Sequence, residues 1–212
     1  MKCIPIAVLA ALLFSIFSCK KESLQPQLNS GDEEQAITAD SVIYKNSFTQ
    51  NAQGWTITGD AQGGSVVPTY HSTGGNPGGF IGATDNVAGG VWYFNAAAKF
   101  LDHMKTAYGN TLRFDLEQSD IISQFDAKDV IITGNGIEIF YNTASNPGTT
   151  WTKYRVPLKA SEWIKTSTNV SPTRSEMKGI LKNITQLWIR GEYISGPDTG
   201  GLDNPAIVVP LP

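Results

Sequence analysis

Cysteine is nearly absent from this 212-residue chain, which contains only Cys3 and Cys19. Both lie within the first 19 residues, so the rest of the chain can form no internal disulfide. A cysteine nucleophile, a zinc-thiolate cluster and a haem attachment motif are excluded there for the same reason. A folded domain in this chain must therefore be stabilised by packing.

Histidine is equally scarce, since only His71 and His103 occur. Neither lies in a metal-binding or catalytic spacing, and both are interpreted as surface or locally hydrogen-bonded residues. The chain has no Gly-x-Ser-x-Gly nucleophile turn. The glycine-rich segment from Gly74 to Gly79 has the composition of a phosphate-binding loop, but no helix is predicted to begin after it. A surface loop is the better interpretation.

No apolar run reaches the length of about 20 residues that a transmembrane helix needs. The apolar run in residues 1–18 follows Lys2 and stops at Ser18 and Cys19, which predicts a secretory signal peptide at residues 1–18. Ile16 to Cys19 resemble a bacterial lipobox. This resemblance implies that Cys19 is lipidated and anchors the chain to a bacterial membrane, outside the cytoplasm, at the outer membrane or cell surface. The alternative is an ordinary signal peptide with an incidental cysteine.

Residues 19–40 are polar and carry an acidic cluster at Asp32, Glu33 and Glu34. This composition predicts a flexible tether ahead of one domain at residues 41–212. Without Lys2, 15 basic residues face 19 acidic ones, a net charge of −4. Because there is no cluster of Lys and Arg either, we expect no nucleic-acid partner.

Short runs rich in Val, Ile, Thr and aromatic residues, separated by Gly, Asn and Pro, predict that the domain is built from β-strands. The segment from Gly134 to Gly136 lies between two such runs and predicts a hairpin. Ten strands are expected, which is enough for two packed sheets: Val42 to Thr49, Trp55 to Thr58, Phe80 to Thr84, Val91 to Asn95, Thr111 to Gln118, Val130 to Thr133, Ile137 to Asn142, Tyr154 to Leu158, Gln186 to Tyr193 and Ala206 to Val209.

One helix is predicted after Thr173. Thr173 and Glu176 have the spacing of a capping box, and the apolar residues Met177, Ile180, Leu181 and Ile184 follow on one helical face. We interpret this helix as structural, packed by its apolar face against the sandwich.

Charged residues alternate with apolar ones on two of the predicted strands. In the strand from Thr111 to Gln118, Leu112, Phe114 and Leu116 should face the core, with the charged residues on the other face. In the strand from Gln186 to Tyr193, Leu187 and Ile189 should face the core, again with the charged residues on the other face. If the two strands lie side by side, their outer faces would form one surface with an exposed aromatic ring. The predicted ligand-binding residues are Trp188, Arg113, Asp115, Arg190 and Glu192. Solvated strand faces are the alternative.

Several blocks of the sequence together resemble the laminin IV type A (laminin B) domain. They occur in the order of that family and cover about Phe48 to Val208: WYFNA from Trp92, KFL from Lys99, YGNTL from Tyr108, FDL from Phe114, IRGEY from Ile189 and GLDN from Gly201. The resemblance implies an all-β fold, a jelly-roll β-sandwich of two antiparallel sheets with one short helix, similar to the galactose-binding-like carbohydrate-binding modules. It implies no enzymatic activity and no established ligand site.

The related jelly rolls often hold a structural calcium beside an Asp at the start of the last strand. Here that residue would be Asp203, with backbone carbonyls around Asn46 and with Asp60 as further ligands. Thr49 occupies the first-strand position where an acid often stands. Calcium prefers six to eight oxygen ligands, and two carboxylates are few. We therefore expect no cofactor, with Asp203 hydrogen-bonded to its own loop instead.

Three functions remain open at this level. The first is a non-catalytic, lipid-anchored module that binds a glycan or another extracellular ligand, with an aromatic face for the sugar ring and polar groups for its hydroxyls. The second is a structural or adhesive module that binds protein through the sandwich surface. The third is a hydrolase, which would need Asp115 or Glu117 to face another carboxylate across a cleft.

Overall fold

The computed structural model describes residues 40–61, 67–87 and 89–210, and these residues contain twelve strands and two α-helices. The strands are β1 Val42–Lys45, β2 Thr56–Thr58, β3 Thr69–Gly75, β4 Gly78–Asp85, β5 Tyr93–Asn95, β6 Thr111–Gln118, β7 Val130–Gly134, β8 Ile137–Tyr141, β9 Thr152–Pro157, β10 Ile164–Lys165, β11 Ile184–Arg190 and β12 Asp198–Val208. The helices are α1 Ala98–Met104 and α2 Arg174–Lys182.

The strands form two six-stranded antiparallel sheets, as predicted. In the first sheet the order is β3-β4-β12-β6-β9, and β1 pairs with the C-terminal half of β12. In the second sheet the order is β10-β8-β7-β11-β5-β2. The strands β6 and β11 therefore belong to different sheets, so the side-by-side arrangement considered for them does not occur.

The core lies between the sheets and follows the alternation of the strands. Leu112, Phe114 and Leu116 on β6 are buried, as are Leu187 and Ile189 on β11, so the predicted inward faces are confirmed. Large aromatic side chains fill much of the remaining space. Trp55, Trp92 and Trp163 are each no more than 1% exposed. Burial of rings of this size supplies most of the packing that a domain without disulfides needs.

The helix predicted after Thr173 is confirmed as α2. The Thr173 side chain accepts a hydrogen bond from the Glu176 backbone N–H, and the Glu176 carboxylate accepts one from the Thr173 backbone N–H. Met177, Ile180 and Leu181 are buried. The expectation of a single helix is wrong, because α1 precedes β6; it is seven residues long and has no side-chain cap, so no capping signal marks it.

The hairpin predicted at Gly134 to Gly136 joins β7 to β8. Asn135 and Gly136 both have positive φ, of 54° and 73°, as a two-residue turn of this kind requires. The glycine-rich segment interpreted as a surface loop is instead a second hairpin. It contains the end of β3, a turn and the start of β4, and β3 was missed because its sequence TYHSTGG has no apolar alternation.

The last strand is much longer than predicted. β12 begins at Asp198, so Asp203 lies within the strand and not at its start. It lies at an irregularity in the pairing of β12 with β6, where Asn204 has a positive φ of 55°. The predicted last strand, Ala206 to Val209, left out Gly200 and Gly201, and glycine is depleted in strands. Here they are paired on both sides, with β4 and with β6.

The predicted signal peptide, Cys19 and most of the predicted tether fall in residues 1–39, outside the described residues. Within the described part of the chain, no helix is long and apolar enough to cross a membrane.

Candidate functional site

The five predicted ligand-binding residues do not come together. Arg113 and Asp115 lie on β6 in the first sheet, whereas Trp188 and Arg190 lie on β11 in the second, with Glu192 just after it. The strand alternation gives which face each residue occupies. It does not give which sheet the strand joins or which loop covers that face.

The side chain of Arg113 is hydrogen-bonded to Asp40, the last residue of the predicted tether. Its Nη1 lies 3.2 Å from Oδ2 of Asp40, and Arg155 on the neighbouring strand β9 places Nη2 2.9 Å from Oδ1 of the same carboxylate. The hydrogen bond from Arg155 lowers the pKa of Asp40. Asp40 therefore belongs to the domain, because it neutralises two like charges that lie opposite each other in the sheet.

Asp115 is buried and hydrogen-bonded, contrary to the expected charged face. Its Oδ2 accepts from the side-chain amides of Asn76, at 3.1 Å, and Asn204, at 2.8 Å. Asn76 lies in the turn between β3 and β4, so this hairpin covers the Asp115 side chain. Asp115 and its strand partner Asp203 belong to one sheet and both accept from the Asn204 side-chain amide, which is not the facing pair that a glycosidase needs.

The residues around Asp203 do not fit a calcium ion. Oδ1 of Asp203 accepts from the Asn204 backbone N–H at 2.6 Å, and Oδ2 accepts from the Asn76 backbone N–H at 2.6 Å. Burial raises the pKa of Asp203, and these two backbone donors oppose that effect. A cation here would meet N–H groups where it needs oxygens. Asp60 is also not available as a second ligand beside Asp203, because the Asp60 carboxylate lies next to those of Asp85 and Glu192.

Arg190 is completely buried and acts as a structural cation. Its Nη1 lies 3.3 Å from Oδ1 of Asp129, its Nε donates to the Glu192 carbonyl, and its Nη2 donates to the Phe125 carbonyl at 2.7 Å. The guanidinium also lies 4.5 Å from the ring centroid of Phe125 and 4.2 Å from that of Tyr193. The segment that carries Phe125 and Asp129 covers this part of the second sheet, so Arg190 is not available to a ligand.

Trp188 keeps part of its surface exposed on the outer face of the second sheet. Its ring stacks on Tyr93 of the adjacent strand β5, with centroids 5.4 Å apart. Its indole N–H donates to the side-chain oxygen of Asn95 at 3.1 Å. Trp188 thus shares the outer face of β11 with Arg190, which is covered and paired, and lies on the other sheet from Arg113 and Asp115.

Glu192 is almost fully buried, at 2% exposure. Its Oε2 accepts a hydrogen bond from the Trp92 backbone N–H at 3.2 Å. Burial raises the pKa of Glu192 to about 7; the Trp92 hydrogen bond opposes this, and the charges of Asp85, Asp60 and Asp198 add to it. Glu192 therefore belongs to an interior acidic cluster and not to a binding face.

A different set of residues forms a pocket on the outer face of the first sheet. This pocket, called here the Phe80–Trp151 pocket, has a volume of about 300 Å³, at the lower end for small-molecule sites. Its lining residues are His71, Phe80, Glu117, Gln118, Ser119, Thr149, Thr199 and Gly201. Trp151 borders it, with its ring centroid 5.2 Å from that of Phe80 in an edge-to-face arrangement.

The aromatic side chains of this pocket are held in place from both sides. His71 stacks on Phe80, with centroids 4.3 Å apart and the rings nearly parallel. On the other side, the Trp151 indole N–H donates to the Gly74 carbonyl in the hairpin at 2.8 Å. Phe80, Trp151 and Glu117 are all half-buried, so each presents part of its surface to solvent.

The floor of the Phe80–Trp151 pocket is made of glycine, which lets the side chains of Trp151 and Glu117 pack directly against the sheet backbone. A Cβ atom built at Gly201 would lie 3.1 Å from the Trp151 ring and 3.0 Å from Cγ of Glu117. One built at Gly82, beside Gly201 in the sheet, would lie 3.5 Å from both His71 and Phe80.

The carboxyl group of the pocket is that of Glu117. Burial raises the pKa of Glu117, and the charge of Asp203 adds to the effect.

Sequence reasoning missed most of this pocket. Glu117 was considered only as a possible hydrolase carboxylate, and His71 only as a surface or locally hydrogen-bonded residue. Trp151 lies just before β9 in a segment without strand alternation. The one usable signal was the run of glycines in GGLDN, since glycine within a strand often marks a place where a ligand approaches closely.

The laminin B (domain IV) family model matches residues 93–207. The chain belongs to this family. The fold agrees, since the L4b domain of human laminin α2 has a TM-score of 0.59, with 14% identity over 79% of this chain and 97% of that one. The family 11 carbohydrate-binding module of a Clostridium thermocellum cellulosomal cellulase has a TM-score of 0.49, with 13% identity over 82% of this chain and 96% of that one. The predicted resemblance and jelly-roll sandwich are confirmed.

The laminin B match begins at β5 and includes Glu117, Trp151 and Gly201, but it excludes His71 and Phe80. The aromatic wall of the pocket therefore combines one residue inside the matched region with two from the β3–β4 hairpin before it. Membership of the laminin B family supports a non-catalytic binding module.

Proposed function

We propose that this laminin B domain binds a glycan in the Phe80–Trp151 pocket and that a lipid on Cys19 anchors it outside the cytoplasm. The observation that carries the glycan proposal is the combination, on one open sheet face, of partly exposed rings with a carboxylate and hydroxyl groups. Aromatic faces pack against the apolar side of a pyranose, while carboxylates accept hydrogen bonds from its hydroxyl groups and Ser and Thr hydroxyls both accept and donate them.

Each part of the pocket has a role in this proposal. Phe80 and Trp151 provide the apolar surface, and their edge-to-face contact together with the Trp151–Gly74 hydrogen bond fixes their orientation. Glu117 would accept hydrogen bonds from sugar hydroxyls. Gly201 lets Trp151 and Glu117 lie close against the sheet backbone, which brings the ring and the carboxylate together. A preformed arrangement of this kind loses little side-chain entropy on binding.

A glycan array probed with the full-length protein tests the proposal. We expect retention on at least one class of oligosaccharide, and we expect Trp151→Ala to weaken it about fivefold, because one ring contact contributes about 1 kcal/mol. Trp188→Ala is the matched control, since this partly exposed tryptophan lies on the other sheet. No retention on any glycan, or equal loss from both substitutions, would reject the site.

The anchor has a separate test. Cells expressing the protein and fed a radiolabelled or alkyne-bearing fatty acid should label the wild type but not Cys19→Ala. Labelling of both forms would contradict lipidation at Cys19, while leaving the glycan proposal unaffected.

Adhesion to a protein partner is the alternative. The adjacent residues Ile121 and Ile122 favour it, because they are 55% and 70% exposed and exposed apolar clusters often mark protein contacts. If Ile121→Ser with Ile122→Ser abolishes attachment to cells while Trp151→Ala leaves it unchanged, the adhesive function replaces the glycan function.

A further inference from the structure

Four carboxylates converge between the two sheets at one end of the sandwich. Asp85 lies at the end of β4 and Asp198 at the start of β12, directly opposite each other in the register of the first sheet. Asp60 follows β2 and Glu192 follows β11, both in the second sheet. One carboxylate oxygen from each of Asp60, Asp85 and Glu192 lies within 4.8 Å of the other two.

These acids have no cationic partner in the described residues. None of the four forms a salt bridge to Lys or Arg there. The buried cation nearest in sequence, Arg190, is paired with Asp129 instead. Three or four carboxylates in the interior of a protein are strongly unfavourable when nothing compensates their charge.

Several of their oxygens also lack hydrogen bonds. Asp85 is 0% exposed; its Oδ1 accepts from the Val87 N–H, but its Oδ2 has no partner. Asp198 is 4% exposed, and neither of its oxygens is within hydrogen-bond geometry of a donor. Buried polar atoms are nearly always hydrogen-bonded, and these unpaired oxygens are free to bind a cation.

The chemistry of the oxygens favours calcium. Calcium binds oxygen at about 2.3–2.6 Å, so carboxylate oxygens that all lie within 4.8 Å of one another can bind the same ion. Magnesium demands a stricter octahedral geometry and keeps several of its waters, so a site built from several carboxylates suits it less well. Nitrogen and sulfur ligands, which would favour a transition metal, are not part of the cluster.

We propose that Asp60, Asp85 and Glu192 bind one calcium ion between the sheets, with Asp198 as a fourth carboxylate beside it. The ion joins the ends of β4 and β12 in the first sheet to the segments after β2 and β11 in the second. It is separate from Asp203, whose oxygens are already hydrogen-bonded, and from the Phe80–Trp151 pocket.

Calcium titration of the full-length protein tests this site. After treatment with EDTA, isothermal titration calorimetry should give one site with a Kd on the order of 10⁻⁵ to 10⁻³ M, the range of weaker calcium sites. The melting temperature should rise on addition of calcium chloride and much less on addition of magnesium chloride. Asp85→Asn and Glu192→Gln should each abolish the calcium-dependent rise.

The melting temperature of each variant in EDTA shows whether the substitution removes a calcium ligand or simply destabilises the fold. Asp85→Asn removes repulsion in the empty cluster, so we expect it to melt at the same temperature as the wild type in EDTA or at a higher one. Asp102→Asn, which changes a 65% exposed acid on α1, should keep the full calcium response. No calcium heat in the wild type, an equal response to magnesium, or an unchanged calcium response in both Asp85→Asn and Glu192→Gln would overturn the proposal.

Discussion

The guanidinium of Arg190 places its Nη1 3.3 Å from Oδ1 of Asp129, and both side chains are buried. Arg190 also donates to the carbonyls of Phe125 and Glu192. This ion pair joins β11 to the segment that covers the outer face of the second sheet. A residue chosen from sequence as a ligand contact is therefore part of the structural framework.

Arg190→Met should destabilise the domain by about 3–5 kcal/mol, because it leaves the Asp129 charge buried without its partner. Urea unfolding followed by tryptophan fluorescence measures this change. Adding Asp129→Asn should recover part of the loss, because the neutral amide removes the unpaired charge. If Arg190→Met alone costs less than 1 kcal/mol, the pair does not have this structural role.

Gly191→Ala should prevent normal packing of the two sheets. A Cβ atom at this position would overlap the ring of Trp92, which is completely buried and cannot move aside. We expect a loss of 3 kcal/mol or more, at or above the usual upper range for overpacking. Gly148→Ala is the control, since its nearest neighbour would be 3.8 Å away. Equal unfolding midpoints for the two variants would contradict the packing described here.

Asp40→Asn should reduce stability at neutral pH and have little effect in acid. The folded-state pKa of Asp40 is lowered by the hydrogen bond from Arg155. A lowered pKa means that the stabilising contribution is present above the unfolded-state value near 3.8 and is lost as the pH falls through the lower folded-state value. Melting temperatures of wild type and variant should therefore differ at pH 7 and converge near pH 2. A constant difference across this range would exclude the charge as the cause.

Thr173→Ala removes one half of the capping box of α2. The loss of the bond to the Glu176 N–H should cost about 1 kcal/mol. Thr173→Ser keeps the hydroxyl and should cost less than half as much. Thermal unfolding monitored by circular dichroism distinguishes the two, and an equal loss for Ser and Ala would show that the hydroxyl is not what matters.

Sequence reasoning predicted the framework well where local rules decide the structure. The alternation of Leu112, Phe114 and Leu116 gave β6 its correct bounds, and Asn135 with Gly136 gave the correct turn. It failed where the strand carried no apolar pattern, as in β3, and where glycine interrupted the pattern, as at Gly200 and Gly201. In both places the partner strands, which sequence alone does not identify, hold the backbone extended.

The candidate site was less predictable than the fold. Alternation correctly placed Arg190 on the outer face of β11, but it could not show that the segment bearing Phe125 covers that face. It could not bring together Phe80 and Trp151 either, because 70 residues of chain separate them and their contact depends on the order of strands in the sheet.

The location of the glycan site is tested most directly by the indole N–H signals of the protein in ¹⁵N-correlated NMR spectra. The chain has five tryptophans; Trp55, Trp92 and Trp163 are fully buried, and Trp151 and Trp188 are partly exposed on different sheets. On titration with the best oligosaccharide from the array, the Trp151 signal should shift in a saturable way while the Trp188 signal stays in place. A saturable shift of Trp188 alone, or binding that leaves Trp151 unmoved, would contradict the site.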